Sequence, residues 1–565
     1  MRLVLSLCLA ATLLAPAAPA QDLGPFPRKA SHDARAEALA RGFQASTPPP
    51  PPVRAVAEFE RSQAVVVSYS SWIGPGDELP VDLIARLSEH VRVISLHNRS
   101  NQRPQIEAAY QSAGAVMDNI AFFQTPTDSP WTRDYGPFYV ASGTGGPIGI
   151  VDFIYDVASR DRDNTMPSAL AGHLNMPLYT MDLVHTGGNY MTTGAGSAAS
   201  TDRLTVYNDD DEARVRQQMQ DYLGIETYHI VPDPQDTYID HIDTWAKFLN
   251  VDTILIAEAD PGHPDYAALE ALAAQFAETE SPWGWPYEVV RVYAPDRQPY
   301  TNSLIVNEHV YVATGRPGDD PALDAAALQT YRDAMPGYTV HGIDYDGWLS
   351  TDALHCRTKE VADPAMLSLR HTPLPETVPA GEPLALEAEI IAHSGAALTP
   401  GSLRLVYTLE GQSEVSVPLE PLGGTRYGAA LPPLEPGTAG TYVLTASDAS
   451  GRTETFPFVG FAAPRAFTAA PFVAGEAGPD AALRLDAAPN PVRGRLAVRF
   501  ETPAPGPVTL DVVDALGRTV ARLADGEHAA GAHRADWTPD VAPGVYLVRL
   551  TAGGARSVQR VTVAR

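Results

Sequence analysis

The stretch TILIA, residues 253–257, combines β-branched and apolar residues in a run too short for a helix, and residues 267–278 behind it have helical spacing. This order predicts a buried strand followed by a crossover helix. The same alternation recurs in both directions along the chain, although no internal repeat is evident. Residues 53–370 are therefore predicted to form one α/β domain. Its other predicted strands lie at 64–68, 91–96, 120–124, 287–294, 303–306 and 310–313, and its other predicted helices at 81–90, 107–113 and 324–335.

After residue 370 the pattern changes to short strands separated by Gly and Pro turns. Leu384, Leu386, Ala388 and Ile390 alternate with more polar neighbours, as one face of a half-buried strand does. This pattern predicts an immunoglobulin-like β-sandwich over residues 371–465. Residues 466–485 are rich in Ala, Pro and Gly and are predicted to be a linker, and residues 486–565 read as a smaller β-sandwich module.

The first residues of the chain predict export. Residues 1–20 have a basic start, an apolar run too short to span a bilayer and a small-residue cleavage site, which together indicate a signal peptide. Residues 21–52 end in five prolines and are predicted to be a propeptide or Pro-rich linker. No later stretch has transmembrane length, and the net charge of −28 argues against nucleic acid and anionic membranes as partners.

Five short segments concentrate unusual polar residues, and each has a structural interpretation beside the functional one. The Asp134 carboxylate could pair with a neighbouring Arg in a turn, and the two adjacent glycines could belong to an ordinary loop. His241 and Asp243 would share one face of an extended stretch, as a metal half-site, as a base beside a carboxylate, or as a core histidine. The segments are WTRDYGP (131–137), HTGGNY (185–190), YIDHID (238–243), PYTNS (299–303) and TDALHCR (351–357).

Together the segments point to a cysteine nucleophile that acts on a cation. Removal of the signal peptide leaves Cys356 as the single cysteine, and a nearby imidazolium would lower the pKa of its thiol. Two carboxylates can hold a planar guanidinium by paired hydrogen bonds. Two rival interpretations remain open, a metal hydrolase that uses His241, Asp243 and Cys356, and a surface binding protein on a catalytically dead scaffold.

WTRDYGP, HTGGNYMT, YIDHIDTWAKFL, QPYTNSLIVN and TDALHCRTKEVAD, in this order, resemble the Porphyromonas-type peptidylarginine deiminases, which are related to agmatine deiminases. The resemblance implies a five-bladed α/β propeller, the pentein fold, with the site at its centre. It implies Cys356 as the nucleophile and His241 as the general acid and base. Asp134 and Asp243 would grip the guanidinium, and Asn302 would assist. This chemistry requires no metal and no other cofactor.

The resemblance also implies a substrate-binding set around these five residues. Trp131 and Tyr238 would line the channel, Gly187 and Gly188 would let the backbone approach the substrate, and Asn189 would belong to the same substrate-binding set. The product would be a ureido group, citrulline where the substrate is arginine, formed with ammonia through a covalent thiouronium intermediate.

One departure from the family leaves the substrate open. Family members carry paired arginines after the strand that follows the first motif, and these bind the carboxylate of a C-terminal arginine. Here that strand is followed by Asp156, which would repel a carboxylate, while Arg160 and Arg162 lie just beyond it. An arginine-containing peptide, free arginine and agmatine are therefore all candidate substrates.

The last module, residues 486–565, resembles the type A sorting domain of type IX secretion. The resemblance implies the type IX secretion machinery as a partner, with passage through the periplasm to release or to anchoring at the cell surface. The alternative interpretation of this module is a further β adhesion domain.

Overall fold

A computed structural model describes residues 31–69, 79–470, 483–502, 504–514, 518–553 and 555–564. The chain divides into two compact units, residues 1–470 and 471–565. The predicted signal peptide, residues 21–30 and most of the predicted linker lie outside the described residues. No helix in the described ranges is long and apolar enough to cross a membrane.

The α/β part of the first unit carries ten helices within the described residues. They are α1 Ser31–Ala40, α2 Val81–His90, α3 Arg103–Ser112, α4 Thr132–Tyr135, α5 Asp161–Asn164, α6 Met166–Leu174, α7 Arg203–Val206, α8 Glu212–Leu223, α9 Tyr266–Glu278 and α10 Pro321–Ala334.

Its strands are short, and many of them are fully buried. They are β1 Val53–Ala55, β2 Ser62–Tyr69, β3 Arg92–His97, β4 Ile120–Gln124, β5 Phe138–Ser142, β6 Gly149–Tyr155, β7 Leu178–His185, β8 Met191–Thr192, β9 Ser197–Thr201, β10 Thr227–Val231, β11 Ala246–Phe248, β12 Thr253–Glu258, β13 Glu288–Tyr293, β14 Leu304–Val306, β15 His309–Thr314, β16 Thr339–Asp344 and β17 Lys359–Ala362.

These strands form five separate mixed sheets, none of which closes on itself. Their strand orders are β17-β2-β3-β4, β1-β5-β6-β7, β10-β9-β8, β11-β12-β13 and β14-β15-β16. Each sheet contains an antiparallel pair and a parallel pair joined across at least one helix, as in β11-β12-α9-β13 and β14-β15-α10-β16. The same small unit therefore recurs five times, although the sequence shows no repeat.

The opening TILIA stretch lies in β12, where Ile254, Leu255 and Ile256 are fully buried. Helix α9 covers this strand with the apolar residues of one face, including Leu269 and Phe276. The predicted α/β domain is thus confirmed as a mixed α/β structure, because apolar strands and amphipathic helices bury each other's apolar faces.

The first sheet joins the beginning of the domain to its end. Strand β17, the last of the α/β part, pairs antiparallel with β2, the second strand of the chain. Helix α1 lies inside the predicted linker over 21–52, but its Ala34 and Ala38 pack against Ile154 and Val184. The helix of this segment, predicted as a propeptide or Pro-rich linker, is therefore packed on the α/β part, whereas most of residues 41–52 are exposed.

Residues 367–469 of the first unit form two sheets packed on one apolar core, and all their strand pairs are antiparallel except β19 with β27. Strand β27 extends past residue 465, where the sequence predicts the linker to begin, because it pairs with β25. The strands are β18 Leu367–His371, β19 Thr377–Val378, β20 Leu384–Ala392, β21 Arg404–Leu409, β22 Val415–Pro418, β23 Glu420–Gly423, β24 Arg426–Leu431, β25 Ala439–Ser447, β26 Thr453–Phe456 and β27 Arg465–Ala469.

The second unit has its own core and consists of two sheets, ordered β28-β29-β32 and β31-β30-β33-β34. Leu496, Val498 and Phe500, whose alternation predicts a strand, are all buried in β29. The strands are β28 Arg484–Ala488, β29 Leu496–Thr502, β30 Gly506–Val513, β31 Thr519–His528, β32 Gly531–Trp537, β33 Gly544–Ala552 and β34 Ala555–Val563.

Candidate active site

The five polar segments of the sequence meet in the interior of the α/β part. Asp134 lies on the short helix α4, and Asn302 precedes β14. The backbone N–H next to Asp134, that of Arg133, donates to the carbonyl oxygen of Cys356 at 3.1 Å. The main chain itself thus holds the first and the last of the five segments together.

The Cys356 thiol is buried, with 2% of the residue exposed, and Asn302 holds it from two sides. The side-chain amide of Asn302 donates to Sγ at 3.3 Å, and its oxygen accepts from the Cys356 backbone N–H at 3.3 Å. Burial, together with the carboxylates of Asp243 and Asp134, raises the pKa of the thiol well above its usual value. Both effects favour the thiol over the thiolate in the protein alone.

His241 lies beside Asp134, with Nδ1 3.6 Å from Oδ1. Burial lowers the pKa of His241 to about 4, although Asp243 acts in the opposite direction. Desolvation thus favours the neutral ring of His241 in the protein alone, opposite to the protonation that would lower the pKa of the thiol. Burial and the charge of Asp243 also raise the pKa of Asp134 well above its usual value.

The alternation of residues around His241 predicts an extended segment, but the chain turns directly after His241. Ile242–Thr244 forms a 3-10 turn, and Asp240 before it has a positive φ of 50°. The side-chain oxygen of Asn189 accepts from the backbone N–H of Ile242 at 3.2 Å and from that of Thr201 at 2.8 Å. Asn189, predicted to bind substrate, therefore uses its side-chain oxygen to hold this turn.

The paired glycines of the second segment lie in a 3-10 turn, Gly187–Asn189, against the same groups. A β-carbon on Gly187 would overlap the carbonyl oxygen of Arg133. One on Gly188 would lie 2.5 Å from His241 Nδ1 and 2.7 Å from Asp134 Oδ1. The glycines are needed here because the backbone packs directly on the side chains of the site.

Four buried polar atoms around the thiol have no hydrogen-bond partner among the residues that the structure describes. They belong to three of the sequence-predicted residues and are Asp134 Oδ1, Asp243 Oδ1 and both ring nitrogens of His241. Unsatisfied buried polar atoms are costly, and an active site is a place where that cost is tolerated. Two carboxyl oxygens that can accept hydrogen bonds, and a neutral imidazole, therefore lie near Cys356 with no partner among the described residues.

Sequence analysis missed the charged cluster behind these residues. The ring of His355 bridges two carboxylates, with Nδ1 2.7 Å from Asp243 Oδ2 and Nε2 2.7 Å from Glu58 Oε2. This arrangement suits the doubly protonated ring, which has two N–H donors. Only the position of His355 beside Cys356 in the fifth segment could have indicated its role.

Glu58 connects this bridge to further buried charges. Its carboxylate lies 2.8 Å from Lys247 Nζ and 3.4 Å from Arg133, whose guanidinium lies 2.6 Å from Glu360. Burial alone would raise the pKa of Glu58, but Lys247, His355 and Arg133 together hold it well below its usual value. Glu58 lies outside all five segments and carries no sequence signal.

Trp131, Tyr238 and Arg160 lie farther out. The Arg160 guanidinium carbon lies 4.4 Å from the Trp131 ring centre, which is a cation–π distance. Tyr238 is 41% exposed, and its hydroxyl accepts from Thr351 at 3.3 Å. Arg162 is exposed and lies 3.7 Å from Asp128.

The sequence predicts that Asp156 repels a substrate carboxylate, which requires an unpaired charge. In the structure the Asp156 carboxylate is paired with a guanidinium. Arg203 lies 2.9 Å from Asp156 Oδ2, and both side chains are buried. The paired guanidinium compensates much of the Asp156 charge.

A separate cavity of about 1100 Å³ lies between the α/β part and the sandwich and holds none of the predicted site residues.

Comparison with known proteins separates the chain into two parts. Residues 487–564 match the model of a secretion-system C-terminal sorting domain. A domain of this family directs its protein out of the cell, so this chain is a secreted or cell-surface protein.

Relatives of the α/β part are deiminases. The agmatine deiminase of Pseudomonas putida is 24% identical over 302 residues, which cover 45% of this chain and 81% of that protein. That of Pseudomonas fluorescens is 22% identical over 304 residues, which cover 46% and 81%. The solved structure of the Enterococcus faecalis agmatine deiminase matches with a TM-score of 0.48 at 18% identity and covers 55% of this chain and 96% of its own.

Residues 54–361, more than half of the chain, match the model of the Porphyromonas-type peptidyl-arginine deiminases. Members of this family are hydrolases that act on carbon–nitrogen bonds, and the match spans all five segments from Trp131 to Cys356. The chain therefore belongs to the Porphyromonas-type peptidyl-arginine deiminase family.

Proposed function

We propose that the protein hydrolyses the guanidino group of arginine in peptides outside the cell, yielding citrulline and ammonia through a covalent intermediate on Cys356. The observation that carries this proposal is the set of unpartnered buried atoms on Asp134, Asp243 and His241 beside a buried thiol. A guanidinium has N–H donors in a plane, and two carboxylates are the partners that match them.

Binding of the cation would activate the thiol. The carboxylates of Asp243 and Asp134 raise the pKa of Cys356 as long as their charge is uncompensated. A guanidinium between them supplies the opposite charge, so the thiolate becomes easier to form when the substrate is in place. Neutral His241 is then the group that accepts the thiol proton.

The reaction follows in balanced steps. The Cys356 thiolate forms a bond to the guanidinium carbon, and His241 returns the proton to one nitrogen, which leaves as ammonia. Water then loses a proton to His241 and attacks the same carbon of the thiouronium intermediate. The carbon–sulfur bond breaks, the added hydroxyl passes its remaining proton to the released ammonia, which becomes ammonium, the neutral ureido product forms, and the thiolate recovers the proton from His241.

The surroundings have supporting roles in this proposal. Asn302 would orient the Cys356 sulfur, and His355 would orient Asp243. Trp131 and Tyr238 would line the channel, and the five small sheets would be the blades of a propeller around the site. The two sheets of residues 367–469 would form an immunoglobulin-like sandwich. The type IX secretion machinery would recognise the last domain.

A second candidate is an agmatine or free-arginine deiminase, because curated relatives over the same region carry the name agmatine deiminase. A surface binding protein without catalysis is the third. Ammonia and ureido product would be measured with benzoyl-arginine amide, a peptide ending in arginine, free arginine and agmatine. We expect turnover to be fastest with one of the two peptide-like substrates, and fastest turnover of agmatine or free arginine would favour the second candidate.

Controls separate the mechanisms. Cys356→Ala should abolish turnover, and EDTA should leave it intact, whereas loss in EDTA would support the metal hydrolase. Failure of all four substrates would support the binding protein. Arg160→Ala should raise KM for the C-terminal peptide if Arg160 holds its carboxylate, and Arg162→Ala, at an exposed position two residues along, is the matched control.

A further inference from the structure

Three histidines from different parts of the chain meet outside the candidate active site. His90 is the last residue of α2, His309 is the first residue of β15, and His341 lies in β16. Strands β15 and β16 are parallel neighbours, with Tyr311 opposite His341. His309 and His341 are therefore diagonal neighbours on one face of this sheet.

The distances between their ring nitrogens suit a shared ion. His309 Nδ1 lies 3.0 Å from His341 Nε2. One ring nitrogen from each of the three residues lies within 4.8 Å of the others. Two imidazole nitrogens on one tetrahedral zinc ion, each about 2.0–2.1 Å from the metal, are about 3.3 Å apart. The pair on the sheet needs only a few tenths of an ångström to reach that spacing.

His90 needs the larger adjustment. Its ring stacks on the ring of His309, with 3.8 Å between ring centres and 18° between ring planes. In stacked rings the nitrogen lone pairs point in parallel directions and do not converge on one ion. Because His90 is exposed and ends its helix, its ring can turn towards the pair without disturbing the core. The carboxylate of Glu89, 3.7 Å from His90 Nε2, adds negative charge at this edge.

We propose that His90, His309 and His341 bind one divalent transition-metal ion of the zinc class, which ties helix α2 to the sheet β14-β15-β16. Three imidazole ligands select Zn²⁺, Cu²⁺ or Ni²⁺ over Mg²⁺ and Ca²⁺, which prefer oxygen. Helix α2 packs on β3 of a different sheet, so the ion joins two of the five units. Its role is structural, since the cluster shares no residue with the candidate active site.

The test is Zn²⁺ binding by the full chain carrying Cys356→Ala, because a thiol would itself bind zinc. His309→Phe and His341→Phe remove a nitrogen but keep an aromatic ring for the stacks on His90 and Tyr311. His90→Ala removes the exposed ligand. His173→Ala is the matched control, because His173 is also exposed in the last turn of a helix.

Calorimetry should find one Zn²⁺ per chain in the parent and in the His173 control. Each cluster variant should weaken binding by more than the roughly 10–100-fold cost of losing an outer-shell partner. Zn²⁺ should raise the thermal midpoint of the parent and not of the cluster variants, and excess Mg²⁺ should not displace it. Retained Zn²⁺ binding in His341→Phe, or displacement by Mg²⁺, would overturn the site. Turnover of the same variants with Cys356 restored reports that they are folded.

Discussion

At position 188 a single methyl group would disturb both the imidazole and a carboxylate of the site. A β-carbon there would lie 2.5 Å from His241 Nδ1 and 2.7 Å from Asp134 Oδ1, closer than any real contact. The two side chains must move, and a displacement of about 1 Å in a catalytic group costs about 100-fold in rate. We therefore expect Gly188→Ala to lower kcat by about that factor.

Gly172→Ala is the matched control for this prediction. Gly172 lies in helix α6 with open space where a β-carbon would be, so the change should leave kcat unaltered. It should also stabilise the protein by about 0.5–1 kcal/mol, because glycine is unfavourable inside a helix. Equal turnover in the two variants would contradict the close packing of Gly188.

Asp134 is expected to trade stability for function. Its pKa lies well above its usual value of 3.8, chiefly because of burial, so the folded protein holds this proton more tightly than the unfolded chain does. Above the folded-state pKa the carboxylate is ionised, buried and without a partner on Oδ1, which costs about 1–3 kcal/mol. Asp134→Asn should remove this cost and abolish turnover together.

The stability that Asp134→Asn gains over the native protein should depend on pH. At pH 8 the Asp134→Asn protein should resist urea better than the native one. As the pH falls through the folded-state pKa, the native carboxyl becomes neutral, so the difference should shrink and vanish near pH 4, about the pKa in the unfolded chain. A variant that is less stable at pH 8 would show that the ionised carboxylate is compensated.

At the scale of elements, a buried guanidinium joins helix α4 to strand β17. Arg133 lies 2.6 Å from Glu360 of β17 and 3.4 Å from Glu58. Arg133→Ala would leave two buried carboxylates without this charge, and breaking a buried pair costs about 3–5 kcal/mol. We expect a fall of that order in the free energy of unfolding, measured in urea.

Two further variants test whether the loss comes from uncompensated charge. Adding Glu360→Gln to Arg133→Ala should recover part of the stability, because it removes one of the two carboxylates that lose the Arg133 charge. Glu212→Gln breaks an exposed pair with Arg216 on helix α8 and should cost less than about 1 kcal/mol. No recovery in the double variant would place the loss in packing instead.

Elements with a clear period were predictable, and the turns of the site were not. Helix α2 and strand β4 have the same bounds as predicted, and in α2 the apolar spacing coincides with the buried face. The turn at Ile242–Thr244 was predicted as extended, since its alternation imitates a strand. Its conformation depends on Asn189, more than fifty residues away, which binds the Ile242 N–H. The residues around Ile242 do not indicate that contact.

The charged cluster around His355 was missed for the same reason, because its contacts are distant in sequence. The ring of His355 lies against Glu58, 297 residues away along the chain, and only the fold brings them together. The five recurring sheets are likewise invisible in the letters, since a buried strand requires apolar residues and not any particular ones. What the sequence did predict in the site, from Asp134 to Cys356, came from motif resemblance and not from periodicity.

At the scale of the whole molecule, the two compact units should be separable in function. Every residue of the candidate active site lies within 1–470, and residues 484–563 bury a core of their own. A chain that ends at Ala470 should therefore keep kcat and the thermal midpoint of the catalytic unit. It should also fail to leave the cell, because the matched sorting domain, residues 487–564, is missing. Turnover in the culture fluid and in the periplasm measures both effects.

A chain that ends at residue 370 is the contrasting variant, because the sandwich shares the first unit with the α/β part. Arg61 donates to Glu454 at 3.0 and 3.2 Å, and Arg452 donates to Asp363 at 2.6 and 2.9 Å. Removing the sandwich breaks both pairs and uncovers the α/β surface that Phe458 packs on, where it stacks with Tyr338 and with the guanidinium of Arg61. We expect this chain to melt earlier and to lose soluble activity. If it matched the chain that ends at Ala470 in midpoint and turnover, these contacts would be incidental, and the catalytic unit would end with strand β17.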